Sequence, residues 1–145
     1  MDPDKKIHLI AKETPMHFLH TMMRVRDQEK SIDFYTRHLG MKIIRQKEFP
    51  NGKFTNTFVG YDDTDPNSPM IELTYNWDQE ADYELGDAWG HIAIGVTDIY
   101  GICERLESAG VPVPRKPGPM KFGGRVIAFI RDPDNHSIEL IQLEE

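Results

Sequence analysis

The chain has 145 residues, enough for one domain, or two small half-domains sharing a core, without disulfide support. Hydrophobic residues make up 39% and charged residues 28%, the balance of an ordinary soluble globular protein. A net charge of −7 argues against a nucleic-acid partner, which needs a basic face, but leaves room for a small anionic ligand held by a few Lys or Arg side chains.

Residues 1–16 read as an extension outside the main unit, with a short strand or helix around 7–11 and Pro15 as punctuation. This stretch has neither the long apolar core nor the cleavage site of a signal peptide. Nowhere does an apolar run approach the roughly 18 residues that span a bilayer. The expectation is a cytoplasmic, soluble chain.

The main unit, residues 17–145, begins with a strand-like run at 18–25. Asp27 is placed to cap a helix over 28–38, whose buried face is marked by Ile32, Tyr35 and Leu39, with Phe34 at its edge. Gly40 closes that helix. Strands follow at 41–49 and 54–61, joined by an Asn51-Gly52 hairpin turn. A polar loop at 62–69 leads to another strand at 70–75. Residues 76–90 carry Trp77, Trp89 and several acids without periodicity, and read as a linker with no fold of its own.

The order then repeats. Residues 91–96 read as a strand, Asp98 caps a helix over 99–108, and Ala109-Gly110 ends it. A short strand is expected at 111–114, a Gly/Pro-rich loop at 117–124, and strands at 125–131 and 137–143 around an Asp-Pro-Asp-Asn turn. Cys103, the one cysteine, lies in this second helix as a small buried apolar residue; it excludes an internal disulfide and a thiolate metal cage, and is compatible with a reducing cytosol.

The two halves, about 17–76 and 90–143, are copies of one another. His20 to His91 is an offset of 71, as are Val25 to Val96, Asp27 to Asp98 and Phe58 to Phe129. Glu72 and Glu139 are 67 apart, the difference falling in the longer loop at 62–69. Each half therefore opens a strand on a histidine and closes on a strand reading Ile-Glu-Leu.

Side chains alternate across a strand, which puts Met22 and Arg24 on the face of His20, and Thr74 and Asn76 on the face of Glu72. A carboxylate between Ile and Leu is costly to bury unpaired, yet it occurs at both equivalent places. Two imidazoles and two carboxylates, His20, Glu72, His91 and Glu139, form a mixed N/O ligand set suited to Ni²⁺, Co²⁺, Zn²⁺, Mn²⁺ or Fe²⁺. The competing account places both glutamates on edge strands facing solvent and both histidines on the surface; the doubled pattern weighs against it. His8, His17, His38 and His136 are weaker candidates, read as structural or solvated.

The runs FLHTMMRV, SIDFYTRHLGMK, FVGY, IELTYNW, YELG, WGHIAIGV, VIAFIRDPD and IELI resemble the bacterial glyoxalase I family of the vicinal oxygen chelate superfamily, over about residues 18–143. The resemblance implies an α+β fold in which tandem βαβββ units form a curled mixed sheet around a metal groove. It also implies a homodimer with sites at the interface, where His20 and Glu72 come from one chain and His91 and Glu139 from the other.

The activity implied is that of a lactoylglutathione lyase, which isomerises the hemithioacetal of methylglyoxal and glutathione to S-D-lactoylglutathione through a metal-stabilised enediolate, detoxifying methylglyoxal. Forms of the family with His at the place of His20 point to nickel first, with cobalt or zinc as alternatives. A ligand glutamate moves the proton; Glu139 is the first choice for that base and Glu72 the second. For glutathione, the resemblance assigns Arg24 and Asn76, and the Gly-rich loop offers Lys121, with Lys116 as a further cation, for the glycyl carboxylate. Two positions depart from the family pattern: Asp87 stands where zinc-type members carry a glutathione-binding Arg, and Phe122 interrupts a loop that is usually glycine there.

Other readings make different demands. A related metal isomerase, such as an acyl-CoA epimerase, shares the His/Glu layout but not Arg24, Asn76 and IELTYNW. An iron dioxygenase wants two His and one carboxylate with open positions. A metal-free binding module has no use for four ligand residues.

Overall fold

A computed structural model of the chain describes residues 2–5 and 15–144. The element expected around 7–11 lies outside the described residues. The first half runs β1 (His20–Arg24), α1 (Gln28–Asp33) continuing into a turn at Phe34–His38, β2 (Lys42–Phe49), β3 (Phe54–Gly60) and β4 (Met70–Asn76). The second half repeats the order as β5 (Ile92–Val96), α2 (Ile99–Ser108), β6 (Arg115–Pro119), β7 (Val126–Arg131) and β8 (Ser137–Gln142). Each half folds as its own four-stranded sheet, ordered β1-β4-β3-β2 and β5-β8-β7-β6. The first strand of each half pairs parallel with the last, and the other pairs are antiparallel. This is the α+β, tandem βαβββ arrangement.

Local signals explain the helix ends. The Asp27 carboxylate accepts the N–H of Lys30, and Asp98 accepts that of Gly101, so each helix starts on an aspartate that satisfies an otherwise orphan donor. Gly40, at φ +75°, takes the left-handed position after the first helix, with the Met41 N–H returning to the Tyr35 carbonyl.

One face of each sheet is dry. Met23, Val25, Ile71, Leu73 and Val59 from the first half join Ile99, Leu106, Ala128, Ile130, Ile138 and Leu140 from the second in a single buried cluster. Cys103 belongs to it, and burial, with the Glu107 charge behind it, pushes its thiol pKa up. Both halves thus share one core. Among the described residues, no helix is long and apolar enough to cross a membrane.

Several expectations need correcting. Phe34 is 3% exposed rather than at the edge of the helix face. Over Phe34–His38 the helix widens by one residue per turn, with the Leu39 N–H reaching the Phe34 carbonyl, and this rotates Phe34 inward beside Tyr35. The same turn buries His38 at the helix end, where its carbonyl accepts a hydrogen bond from Arg105 at 2.9 Å. In the first hairpin the left-handed residue is Lys53 (φ 54°), the last of a four-residue loop, rather than Gly52.

No strand forms at 111–114; β6 lies later, at Arg115–Pro119, and runs into the stretch 117–124 expected to be loop. The Arg115 guanidinium holds it there by donating to the carbonyls of Lys116, Gly118, Ile127 and Pro119 at 2.7–3.0 Å. Pro117 is tolerated because β6 is an edge strand.

Candidate metal and substrate site

The second face of each sheet stays open, and the candidate residues lie on it. In the first sheet Met22 of β1 is in register with Glu72 of β4, so His20, two residues earlier, shares the Glu72 face. In the second sheet Ala93 is in register with Glu139, and His91, just before β5, shares that face in the same way. His20 Nε2 stands 3.2 Å from a Glu72 carboxylate oxygen, and His91 Nε2 stands 3.7 Å from one of Glu139. The glutamates are the more enclosed members, with side chains 15% and 16% exposed against 36% and 44% for the histidines.

The surroundings are duplicated too. Phe58 lies directly across β3 from Glu72, and Phe129 directly across β7 from Glu139. Each phenyl ring meets the histidine of its own half nearly at right angles, at 5.4 Å for Phe58–His20 and 5.3 Å for Phe129–His91. Sequence reasoning used Phe58 and Phe129 only as marks of the repeat. Their shared offset of 71 was the available signal, but an apolar side chain gave no reason to assign them a place in the site.

Along the open face of β4, Thr74 Oγ1 donates to Asn56 Oδ1 at 2.9 Å, and Asn76 Nδ2 donates to the Tyr83 hydroxyl at 3.1 Å. Arg24 is exposed on the His20 face. Lys121 is exposed in the loop after β6, its Nζ 5.5 Å over the ring of Phe122, which is itself 92% exposed. Lys116 is committed elsewhere, bonded to Glu107 at 3.0 Å. Asp87 is exposed in the linker, and His17 in the extended segment before β1.

The two His/Glu pairs do not merge within one chain. Among the described residues, the only set of three or more His, Cys, Asp or Glu side chains with ligand atoms within 4.8 Å of one another is Asp132, Asp134 and His136. That cluster is a structural tie between the halves. Asp132 Oδ2 accepts the Tyr35 hydroxyl at 2.6 Å and faces His136 Nδ1 at 2.8 Å, while Oδ1 takes the N–H groups of Asp134 and His136. Asp134 accepts the Arg26 N–H and the Ser31 hydroxyl. Burial pushes the Asp134 pKa up, and the Arg26 N–H holds it partly back. With its oxygens already taken by donors, the cluster has little left to offer a cation, and His136 is the structural histidine it was expected to be.

The model of the Glyoxalase/Bleomycin resistance protein/Dioxygenase superfamily matches residues 17–140. The chain belongs to this superfamily. Within the glyoxalase superfamily it is 56% identical to the lactoylglutathione lyase of Neisseria meningitidis serogroup A over 128 residues, 88% of this chain and 91% of that protein. The lactoylglutathione lyase of Escherichia coli O157:H7 is 50% identical over 127 residues, 88% of this chain and 93% of its own length. The crystal structure of glyoxalase I from Zea mays superposes with a TM-score of 0.82 at 40% identity, covering 89% of this chain but 45% of the maize chain. This superfamily member therefore spans less than half the length of the maize enzyme.

Proposed function

We infer that the protein is a lactoylglutathione lyase, isomerising the hemithioacetal of methylglyoxal and glutathione to S-D-lactoylglutathione. The observation that carries this reading is the His/Glu pair repeated on the open face of each sheet, in a chain 50–56% identical to proteins of that activity. The proposed ligands are His20 and Glu72 of one protomer with His91 and Glu139 of its partner. The pair separations of 3.2 and 3.7 Å suit adjacent ligands of one ion, since bonds of about 2.1 Å at right angles put ligand atoms about 3.0 Å apart. Nickel is the proposed ion, with cobalt next and zinc third.

When bound, the metal supplies Lewis acidity, polarising the two adjacent substrate oxygens and stabilising the negative charge that develops there. The chain's residues do the rest. Glu139 takes the proton from C1 and returns it to C2, with Glu72 as the alternative base. Arg24, Asn76 and Lys121 hold the carboxylates and amides of glutathione. A homodimer is supported by the separation of the two pairs in one chain and by the maize chain, long enough for two such units. The cytoplasm is the proposed compartment, in keeping with a single, buried cysteine.

The test is to follow thioester formation from methylglyoxal and glutathione by ultraviolet absorbance, before and after stripping the protein and restoring Ni²⁺, Co²⁺ or Zn²⁺. Activity is expected to return with nickel and cobalt and poorly with zinc. No thioester with any metal overturns the lyase reading, and higher activity with zinc than nickel overturns the metal order. Glu139→Gln is expected to lower turnover by at least about a hundredfold with the fold intact. Near wild-type turnover would remove Glu139 from the role of base.

A further inference from the structure

An imidazole that binds a metal is usually held in one orientation by a hydrogen bond from its other ring nitrogen to a carboxylate or carbonyl. Both His20 and His91 turn Nε2 toward a glutamate. Among the described residues, no hydrogen bond reaches Nδ1 of either. What each ring meets instead is the perpendicular phenyl ring of Phe58 or Phe129, at 81° and 80°. Perpendicular ring pairs at such distances are favoured by the quadrupoles of the rings and restrict rotation about the bond to the imidazole.

We propose that Phe58 and Phe129 are positioning residues that aim the His20 and His91 imidazoles by ring contact, where no group of the same chain's described residues bonds to Nδ1. The inference rests on the ligand set proposed above. It is carried by two independent copies, for the contact is repeated to within 0.1 Å and 1° across halves of different sequence.

The two contacts differ in what stands behind them. β2 contains a bulge: Ile43 is in register with Val59 and Arg45 with Phe58, so Ile44 is the extra residue. The extra residue turns Arg45 onto the open face, where its guanidinium lies 4.0 Å over the Phe58 ring. Phe58 is consequently 8% exposed although it lies on the open face. Arg115 has the same register relation to Phe129, but its guanidinium is spent on backbone carbonyls, and Phe129 is only half-buried. The ring that aims His20 is clamped from behind; the ring that aims His91 is not.

The experiment measures Co²⁺ affinity of the full-length apoprotein against a competing chelator, together with the visible absorption of the Co²⁺ form. Phe58→Leu and Phe129→Leu are each expected to weaken Co²⁺ binding about tenfold or more and to alter the cobalt band, as loss of a ligand-orienting group does. Phe58→Tyr should restore both. Arg45→Met should weaken binding by less than Phe58→Leu, acting only through the ring. Val59→Ala, on the buried face of the same strand, should lower the melting temperature and leave Co²⁺ affinity and the band unchanged. Wild-type affinity and spectrum in both leucine variants, or an equal loss in Val59→Ala, would overturn the proposal. Equal Co²⁺ binding by wild type and His20→Ala would instead overturn the ligand reading beneath it.

Discussion

Tyr35 ties the halves together through one hydroxyl. It is fully buried, and it donates to Asp132, 97 residues further along the chain, at 2.6 Å. Burial is the main reason its phenol pKa stands well above the ordinary 10, and the Asp132 charge adds to it. The consequence for stability has a definite sign. Above pH 10 an unfolded tyrosine gives up its proton, while the folded one keeps it. The contribution of Tyr35 is thus fully present below pH 10 and is lost above it, by about 1.4 kcal/mol per pH unit, until the folded group also ionises. Tyr35→Phe leaves a buried carboxylate one donor short and is expected to cost about 1–3 kcal/mol at pH 7. The same variant should show a flatter alkaline limb, because that proton linkage is gone. Urea unfolding between pH 7 and 11 checks both parts; parallel alkaline limbs would mean that Tyr35 is not the group responsible. Tyr61, also raised by burial, leaves a residual slope in the variant.

Among the elements, β6 depends most on one side chain. Pro117 and Pro119 deny it donors, and its pairing with β7 is interrupted between Arg115 and Gly118. Arg115 compensates by gathering four carbonyls. Arg115→Met should raise amide exchange at residues 116, 118, 126 and 127 while α2 and β8 keep wild-type protection. Unchanged exchange there would show that strand pairing alone holds β6. This strand also shows where reading from sequence ran out. The helix starts at Asp27 and Asp98 and the glycine turn at Gly40 were legible, since capping chemistry is local. The placement of β6 was not, because Arg115 acts on the carbonyl of Ile127, twelve residues away in the neighbouring strand. The bulge at Ile44 and the inward turn of Phe34 were hidden for the same reason: both express packing against partners that strand alternation and helical spacing do not name. At the candidate site the polar residues could be picked out, since a buried-strand glutamate is conspicuous when it occurs twice. Phe58 and Phe129 look like ordinary core residues until the sheet register sets them opposite those glutamates.

For the whole molecule, the decisive geometry is that one chain holds two His/Glu pairs which do not meet. If each complete site takes its first pair from one protomer and its second from the partner, damage can be moved between sites by mixing subunits. His20→Ala breaks the first pair in every site of its homodimer, and His91→Ala breaks the second, so each protein alone should be nearly inactive. A mixed dimer concentrates both defects in one site and leaves the other with an intact pair from each protomer. After unfolding and refolding an equimolar mixture, about half of the dimers are mixed and half of their sites are intact, so roughly a quarter of wild-type activity is expected. Were each site built within a single chain, every site in the mixture would still carry one defect and no activity would return. The recovered activity should fall on dilution below the dimer dissociation constant, since separated protomers each carry a broken pair. A mixture that stayed inactive above that concentration would place the complete site within one chain, against the arrangement proposed here.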